Sequence, residues 1–254
     1  MGKIIAIANQ KGGVGKTTTV VNLSSCIAAL KKKVLVVDID PQGNTTGGLG
    51  VSTENLDYTI YDVLVNDVPA SEAIAEAPYF SMHILGSDIS LAGAEIELVS
   101  AEKREFLLKK ALDSVKDKYD FIFIDCPPSL GIITLNGLVA ADAVIVPIQC
   151  EYYALEGVSQ LSNTVNMVKK ALNPNLDIEG VVMTMFDGRT NLSIQVVEEV
   201  KKHFGKKAYR TLIPRNVRLS EAPSFGEPII VFDRTASGAL AYENLAQEFL
   251  EKNK

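Results

Sequence analysis

The stretch that most constrains this chain is Lys11-Gly12-Gly13-Val14-Gly15-Lys16-Thr17-Thr18. It stands between an apolar run, residues 3–8, and an apolar-periodic segment that begins at Val20. The order is strand, glycine loop, helix. Glycines at three of four positions let successive backbone N–H groups turn toward one point, and the following helix adds the positive end of its dipole. Such a nest binds phosphate. Lys16 carries a compact positive charge to the β- and γ-phosphates of a nucleoside triphosphate, and the Thr17 hydroxyl is placed for the Mg²⁺ that accompanies them. The strand-to-helix context separates this motif from a glycine turn beside a surface lysine.

The rest of the chain repeats the alternation. Apolar strand runs at 3–8, 34–38, 82–85, 121–125, 143–148, 178–185 and 208–212 are separated by helix-period segments. Val158, Leu161, Val165, Val168 and Leu172 make one apolar stripe, Val196, Val197, Val200 and Phe204 make another, and 237–252 has the pattern of a final docking helix. Strands alternating with helices predict an α/β fold: a doubly wound, mostly parallel sheet with helices on both faces. With 254 residues and 47% hydrophobic composition the chain can bury a large core, and it reads as a single domain over 1–254.

Two further strand ends carry carboxylates, where ligands of open α/β sheets gather. In Val34-Leu35-Val36-Val37-Asp38-Ile39-Asp40-Pro41-Gln42-Gly43-Asn44, period two predicts that Asp38 and Asp40 both face the nucleotide, one near the Mg²⁺ shell and one near the attacking water. An Asp-Pro turn is the structural alternative. Phe121-Ile122-Phe123-Ile124-Asp125 ends in an aspartate suited to hold Mg²⁺, and Pro127 and Pro128 stop the strand.

Charge placement is informative where net charge is not. The chain has 25 basic and 31 acidic residues, a formal net of −6, which by itself argues against nucleic acid. From Arg189 to Arg218, however, eight basic residues stand against two acidic ones, a local net of +6 that leaves −12 on the remainder. This predicts a basic face on an acidic body, able to bind the DNA backbone without sequence preference; a solvated lysine-rich helix end is the structural alternative.

The phosphate loop departs from G-x-x-x-x-G-K-[ST] by having Gln10 at the first glycine and an additional lysine, Lys11. It resembles the deviant Walker A motif, K-G-G-x-G-K-[ST]-T, of the ParA/MinD family of ATPases. That resemblance implies that Lys11 crosses to a partner subunit's nucleotide, so that ATP·Mg²⁺ is sandwiched in a homodimer. The segment D-x-D-P-Q-G-N is similar to the second motif of the ParA branch, which implies that Asp40 is needed for hydrolysis. D-C-P-P-S-L at 125–130 and the segment 149–157 resemble the family's switch regions. The stretches 190–200 and 213–224 are similar to chromosomal ParA proteins of the Soj type. This implies that Arg189, Arg215 and Arg218 bind nonspecific double-stranded DNA once ATP closes the dimer, and that Pro214 and Asn216 approach the base. The partners so implied are a second copy of the chain, DNA, a ParB-type centromere-binding protein and a replication initiator, with no membrane and a cytoplasmic, nucleoid-associated location.

Two rivals share the nucleotide chemistry. A MinD-like membrane-cycling ATPase needs a basic amphipathic C-terminal helix, whereas the tail from 244 to 254 mixes Glu248 and Glu251 with Lys252 and Lys254. An iron–sulfur or other metabolic P-loop enzyme would use cysteine, and Cys126 directly follows Asp125. Cys26, Cys126 and Cys150 are widely separated and lack C-x-x-C spacing, so they read as reduced, buried thiols, while His83 and His203 alone give little support to a zinc site. No apolar run approaches the about 20 residues of a membrane span, and the first residues lead straight into a strand, so a soluble protein without a leader is expected.

Overall fold

The computed structural model describes residues 2–151 and 154–254, with the side chains of 154–160 outside the description. Tyr152, Tyr153 and much of the predicted 149–157 switch therefore lie outside the described residues, as does the side chain of Val158. The strands are β1 (Lys3–Ile7), β2 (Val34–Asp38), β3 (Ile74–Glu76), β4 (His83–Leu85), β5 (Phe121–Asp125), β6 (Ala143–Gln149), β7 (Asp177–Phe186) and β8 (Ala208–Pro214). In the first half the helices are α1 (Lys16–Ala29), α2 (Asn44–Gly48), α3 (Ile60–Val65), α4 (Ala70–Ala73), α5 (Leu91–Glu97) and α6 (Leu107–Asp113). In the second half they are α7 (Ile132–Ala140), α8 (Ala154–Ala171), α9 (Asn191–Phe204), α10 (Val217–Glu221), α11 (Ile229–Phe232) and α12 (Ser237–Lys252).

One sheet runs in the order β3-β4-β2-β5-β1-β6-β7-β8, and every pairing is parallel except β3 with β4. From β1 the chain steps outward to β2, returns through β5 beside β1, and then continues on β1's other side with β6. Strand order thus reverses at β1, and the loops after β1, β2 and β5 open into one crevice, the place where such sheets bind ligands.

Both faces of the sheet are covered, which is why the strands read as unbroken apolar runs. Ile5, Ile7, Val34, Val36, Phe121 and Phe123 pack under α1, α11 and α12. Their neighbours Ile4, Ala6, Leu35, Val37, Ile122 and Ile124 pack on the opposite side with residues of α3 to α9. The expected docking helix is α12, whose Tyr242, Leu245, Ala246 and Phe249 are buried in the first of these layers. Its apolar face is taken up by the core. The stripes on α8 and α9 are likewise core: Leu161, Val165, Val168, Val196, Val197 and Val200 are buried.

All seven predicted strands are present. The eighth, β3, is a three-residue antiparallel edge strand with no fully buried residue. Gly180 in β7 is required by packing. A Cβ there would stand 3.0 Å from the Lys207 carbonyl oxygen and nearer still to the ring of Tyr209, which is fully buried and has no room to move. Gly180→Ala should therefore destabilise the fold by about 2 kcal/mol, read as a Tm lower by about 5 °C.

Candidate functional site

The loop after β1 is pinned from two sides. The Asn9 side chain donates to the Pro147 carbonyl at 2.8 Å and accepts the Lys11 N–H at 3.0 Å, while the Thr184 hydroxyl of β7 donates to the Val14 carbonyl at 2.8 Å. Gly13 (φ +73°) and Gly15 (φ +87°) take the left-handed conformation that turns the N–H groups inward. Lys16 opens α1 almost fully buried, at 8% exposure, and its ammonium donates to the Lys11 carbonyl at 3.3 Å rather than to a carboxylate. Burial pushes its pKa down, opposed by the field of Asp125. A buried ammonium whose hydrogen-bond partner among the described residues is a carbonyl is poised for an anion. The Lys11 side chain instead lies 3.6 Å from Glu151, which also accepts from Gln149.

Parallel register sets Asp38 and Asp125 side by side at the ends of β2 and β5. One Asp125 oxygen accepts from the Thr17 hydroxyl at 2.7 Å and the Thr45 hydroxyl at 2.6 Å; the other, Oδ1, is buried with no partner among the described residues. Burial raises the pKa of both carboxyls, and at Asp125 the neighbouring Asp38 adds to it. A divalent cation fits here: an orphaned buried carboxylate oxygen beside a threonine hydroxyl and a lysine is a donor set that a hard cation and phosphate oxygens would complete.

Of the two aspartates, Asp40 lines a cavity while Asp38 is fully buried beneath the loop. β2 ends at Asp38, yet Ile39 keeps its alternation, with its N–H bonded to the Asp125 carbonyl and its side chain in the layer of Leu35 and Val37. Both Asp38 oxygens are engaged below the loop: Oδ2 accepts from the Thr46 N–H (2.9 Å) and hydroxyl (2.8 Å), and Oδ1 accepts the Asp40 N–H (3.1 Å). Asp38 thus holds the Asp40–Thr46 turn in place, while Asp40 lines a cavity of about 300 Å³ with Gly12, Gly13, Lys16, Thr17, Asn44 and Pro128.

A second cavity, of about 390 Å³, is lined by Ile213, Pro214, Arg215, Asn216, Ser220 and Tyr242, and the two meet at Gly15, Thr18 and Met185. Phosphate loop and predicted base-contacting residues therefore line two adjoining cavities. Asn216 is fixed as the N-cap of α10, accepting from Leu219 N–H and donating to the Ser237 hydroxyl at 2.8 Å.

The basic segment is not one face. β7 ends in the crevice, and α9 then runs back across the sheet for 14 residues, about 20 Å, before β8 returns. Lys201, Lys202, Lys206 and Lys207 thus sit at the end opposite Arg189, Arg215 and Arg218. Several of these charges are also met by acids: Arg189 by Asp187, Lys207 by Asp177, Arg210 by Glu248 and Glu251, and Arg218 by Glu221 and Asp233. Among the described residues, Arg215 has no carboxylate within ion-pair distance. Counting charge along the chain overstates the field at the crevice because it ignores the reversal.

The cysteines are all free and buried. Cys126 is fully enclosed and its thiol pushed upward by burial, not presented at a surface where two chains could share a cluster. Among the described residues no helix is long and apolar enough to cross a membrane. Thr45 and Thr46 escaped sequence reasoning although they directly follow Asn44, and Thr184 and Met185 gave no signal, being ordinary residues of an apolar strand.

A family profile described as an AAA domain matches residues 2–178. The chain is 59% identical over 248 residues to the sporulation initiation inhibitor protein Soj of Bacillus subtilis strain 168, covering 98% of each chain. It is 50% identical over 253 residues to the chromosome partitioning protein ParA of Myxococcus xanthus strain DK1622, covering 100% of this chain and 89% of that one. Among solved structures, one named cobyrinic acid a,c-diamide synthase from Mycobacterium smegmatis, with bound ADP and magnesium, aligns with a TM-score of 0.85 at 38% identity, covering 99% of this chain and 95% of that one.

Proposed function

The chain belongs to the Soj/ParA family of chromosome-partitioning ATPases, and we propose that it is an ATP-driven switch for DNA binding. It hydrolyses ATP with Mg²⁺ and, in its ATP state, forms a homodimer that holds nonspecific double-stranded DNA. The observation that carries this is the joining, at Gly15, Thr18 and Met185, of a phosphate-binding cavity to one walled by Pro214, Arg215 and Asn216. A nucleotide spanning both would touch the segment that carries two of the three DNA-facing arginines.

In this scheme the backbone from Gly12 to Thr18 and the Lys16 ammonium hold the phosphates, and the base lies toward Pro214 and Asn216. Thr17 and Asp125 hold the Mg²⁺, with Asp38 ordering the turn beside them. The cation supplies charge neutralisation on the transferred phosphoryl group. Asp40 orients the attacking water, and Lys11, released from Glu151, reaches the partner's phosphates. Pairing two chains doubles the number of arginines offered to DNA, and affinity rises steeply with the number of phosphates neutralised. Hydrolysis, stimulated by a ParB-type protein, returns the chain to the weakly binding state on the nucleoid; a replication initiator is a second partner of the same switch.

The test is binding to a random-sequence duplex without nucleotide, with ADP and with ATP, at two salt concentrations, using Asp40→Ala so that the ATP state persists. Salt-sensitive binding with ATP alone supports the switch; no binding in any state removes DNA from the function. Arg189→Glu should weaken the ATP-state complex by at least about tenfold and lower its salt slope by about one per lost phosphate contact, with ATP affinity unchanged. An unaltered gel shift would return Arg189 to the solvated surface.

A further inference from the structure

The strand whose end lines both cavities, β7, finishes in Thr184-Met185-Phe186 and is followed by Asp187, and this short stretch ties the phosphate loop to the arginines. Thr184 bonds to Val14, and Met185, in the left-handed conformation at φ +52°, lines both cavities. The Phe186 carbonyl accepts the Arg215 N–H at 3.1 Å. Asp187 comes next. Its Oδ1 accepts Arg189 Nε at 2.8 Å and the Arg189 backbone N–H at 3.1 Å, and its Oδ2 accepts Nη2 at 2.7 Å. Two near-parallel N–H···O bonds to one carboxylate are the geometry in which a guanidinium takes a phosphate. The Arg189 side chain is 88% exposed, yet its fork is filled from within the chain. The Arg189 hydrogen bonds hold the Asp187 carboxyl down at about 2, and Arg215 adds to this, so the pair is ionised at any working pH.

Resting on the assignment of these arginines as DNA contacts, we propose that Asp187 is an intramolecular stand-in for DNA phosphate, occupying the Arg189 fork until a duplex displaces it. A contact that must first be vacated is weaker than one that stands open. Each chain then gives up part of its Arg189 affinity to Asp187, and stable binding requires several phosphates engaged at once. Arg218, though also ion-paired, is braced differently: it reaches Asp233 and Glu221 and lies 4.7 Å over the Phe232 ring, joining α10 to α11. Asp187 has no such bridging duty, since its partner is two residues away in the same loop.

The experiment measures ATP-state affinity for a random-sequence duplex in the full-length Asp40→Ala background, comparing Asp187→Asn, Arg189→Ala, the double variant, and Glu198→Gln as a control for lost charge on nearby α9. Asparagine keeps the Oδ1 that accepts the Arg189 backbone N–H, so the turn is preserved; Asp187→Ser, with its hydroxyl acceptor, is the second variant should the first fold poorly. Asp187→Asn should bind about threefold tighter per chain, hence about tenfold for the pair, and clearly more than Glu198→Gln. In the Arg189→Ala background the same substitution should do no more than the control. Unchanged or weaker binding by Asp187→Asn, or an equal gain without Arg189, overturns the proposal. If the Asp40→Ala parent itself shows no ATP-dependent DNA binding, the assignment of the arginines fails first, and this proposal with it.

Discussion

Lys16→Ala raises the Kd for ATP by at least about 100-fold, measured by titration with a fluorescent ATP analogue. The expectation follows from how the side chain is held. Lys16 is buried at 8% exposure against a single carbonyl at 3.3 Å, its charge disfavoured by desolvation. An ammonium kept in that state gives up hydration that the field of Asp125 offsets only in part, and regains the rest when an anion arrives, so its worth appears in binding. A 100-fold loss corresponds to about 2.7 kcal/mol, a reasonable sum for one charge-assisted contact in a partly dry site. The same reasoning predicts that the variant, without nucleotide, melts no lower than the parent, because a costly buried charge has been removed. The increase in Tm on adding ATP·Mg²⁺ should then vanish. Tight binding by Lys16→Ala would mean that the loop backbone alone holds the phosphates and that the buried lysine has another purpose.

How much of this was legible in the sequence depends on whether each feature is local. The buried strands were legible because helices cover both faces, leaving unbroken runs such as 34–37 and 121–124, and Ser237–Lys252 was legible because its apolar face meets the core along its whole length. β3 was not, since a three-residue edge strand has neither run nor alternation. Asp38 and Asp40 were found, but their different engagement was not legible, because the Thr46 donors that occupy Asp38 come from a later turn of the chain. The arginine segment is more instructive. A local net charge of +6 describes a stretch of chain, whereas α9 carries half of its basic residues to the far end of the sheet, and the acids that meet it come from β7, the loop after β7, α10, α12 and the residue after α11. Thr17 was legible in the loop motif, whereas Thr45 and Thr46, whose hydroxyls also order the carboxylates, became visible only once β2 and β5 were in register.

The different engagement of Asp38 and Asp40 leads to the other large effect. Asp40→Ala should lower the single-turnover rate of ATP hydrolysis by at least about 100-fold, the lower end of what a positioned acid or base contributes, while the Kd for ATP stays within about threefold. Asp40 is free to act in this way because it bears little structural burden: among the described residues its carboxylate accepts the Gln42 N–H alone, at 3.0 Å, and it faces the loop glycines and Lys16 across the cavity. Asp38 is the opposite case, fully buried with three donors on its two oxygens, so Asp38→Ala would leave the Thr46 N–H and hydroxyl unpaired and loosen the whole turn. The pair therefore predicts a split that a general electrostatic role would not produce. Loss at Asp40 should fall on the chemical step alone, and loss at Asp38 on stability and nucleotide binding together. Asp40→Asn keeps the acceptor for Gln42 and removes only the charge, so a rate as low as that of Asp40→Ala assigns the effect to the carboxylate. Normal turnover in either Asp40 variant would remove it from the reaction and leave the water to be oriented by the loop backbone or by a residue of the partner chain.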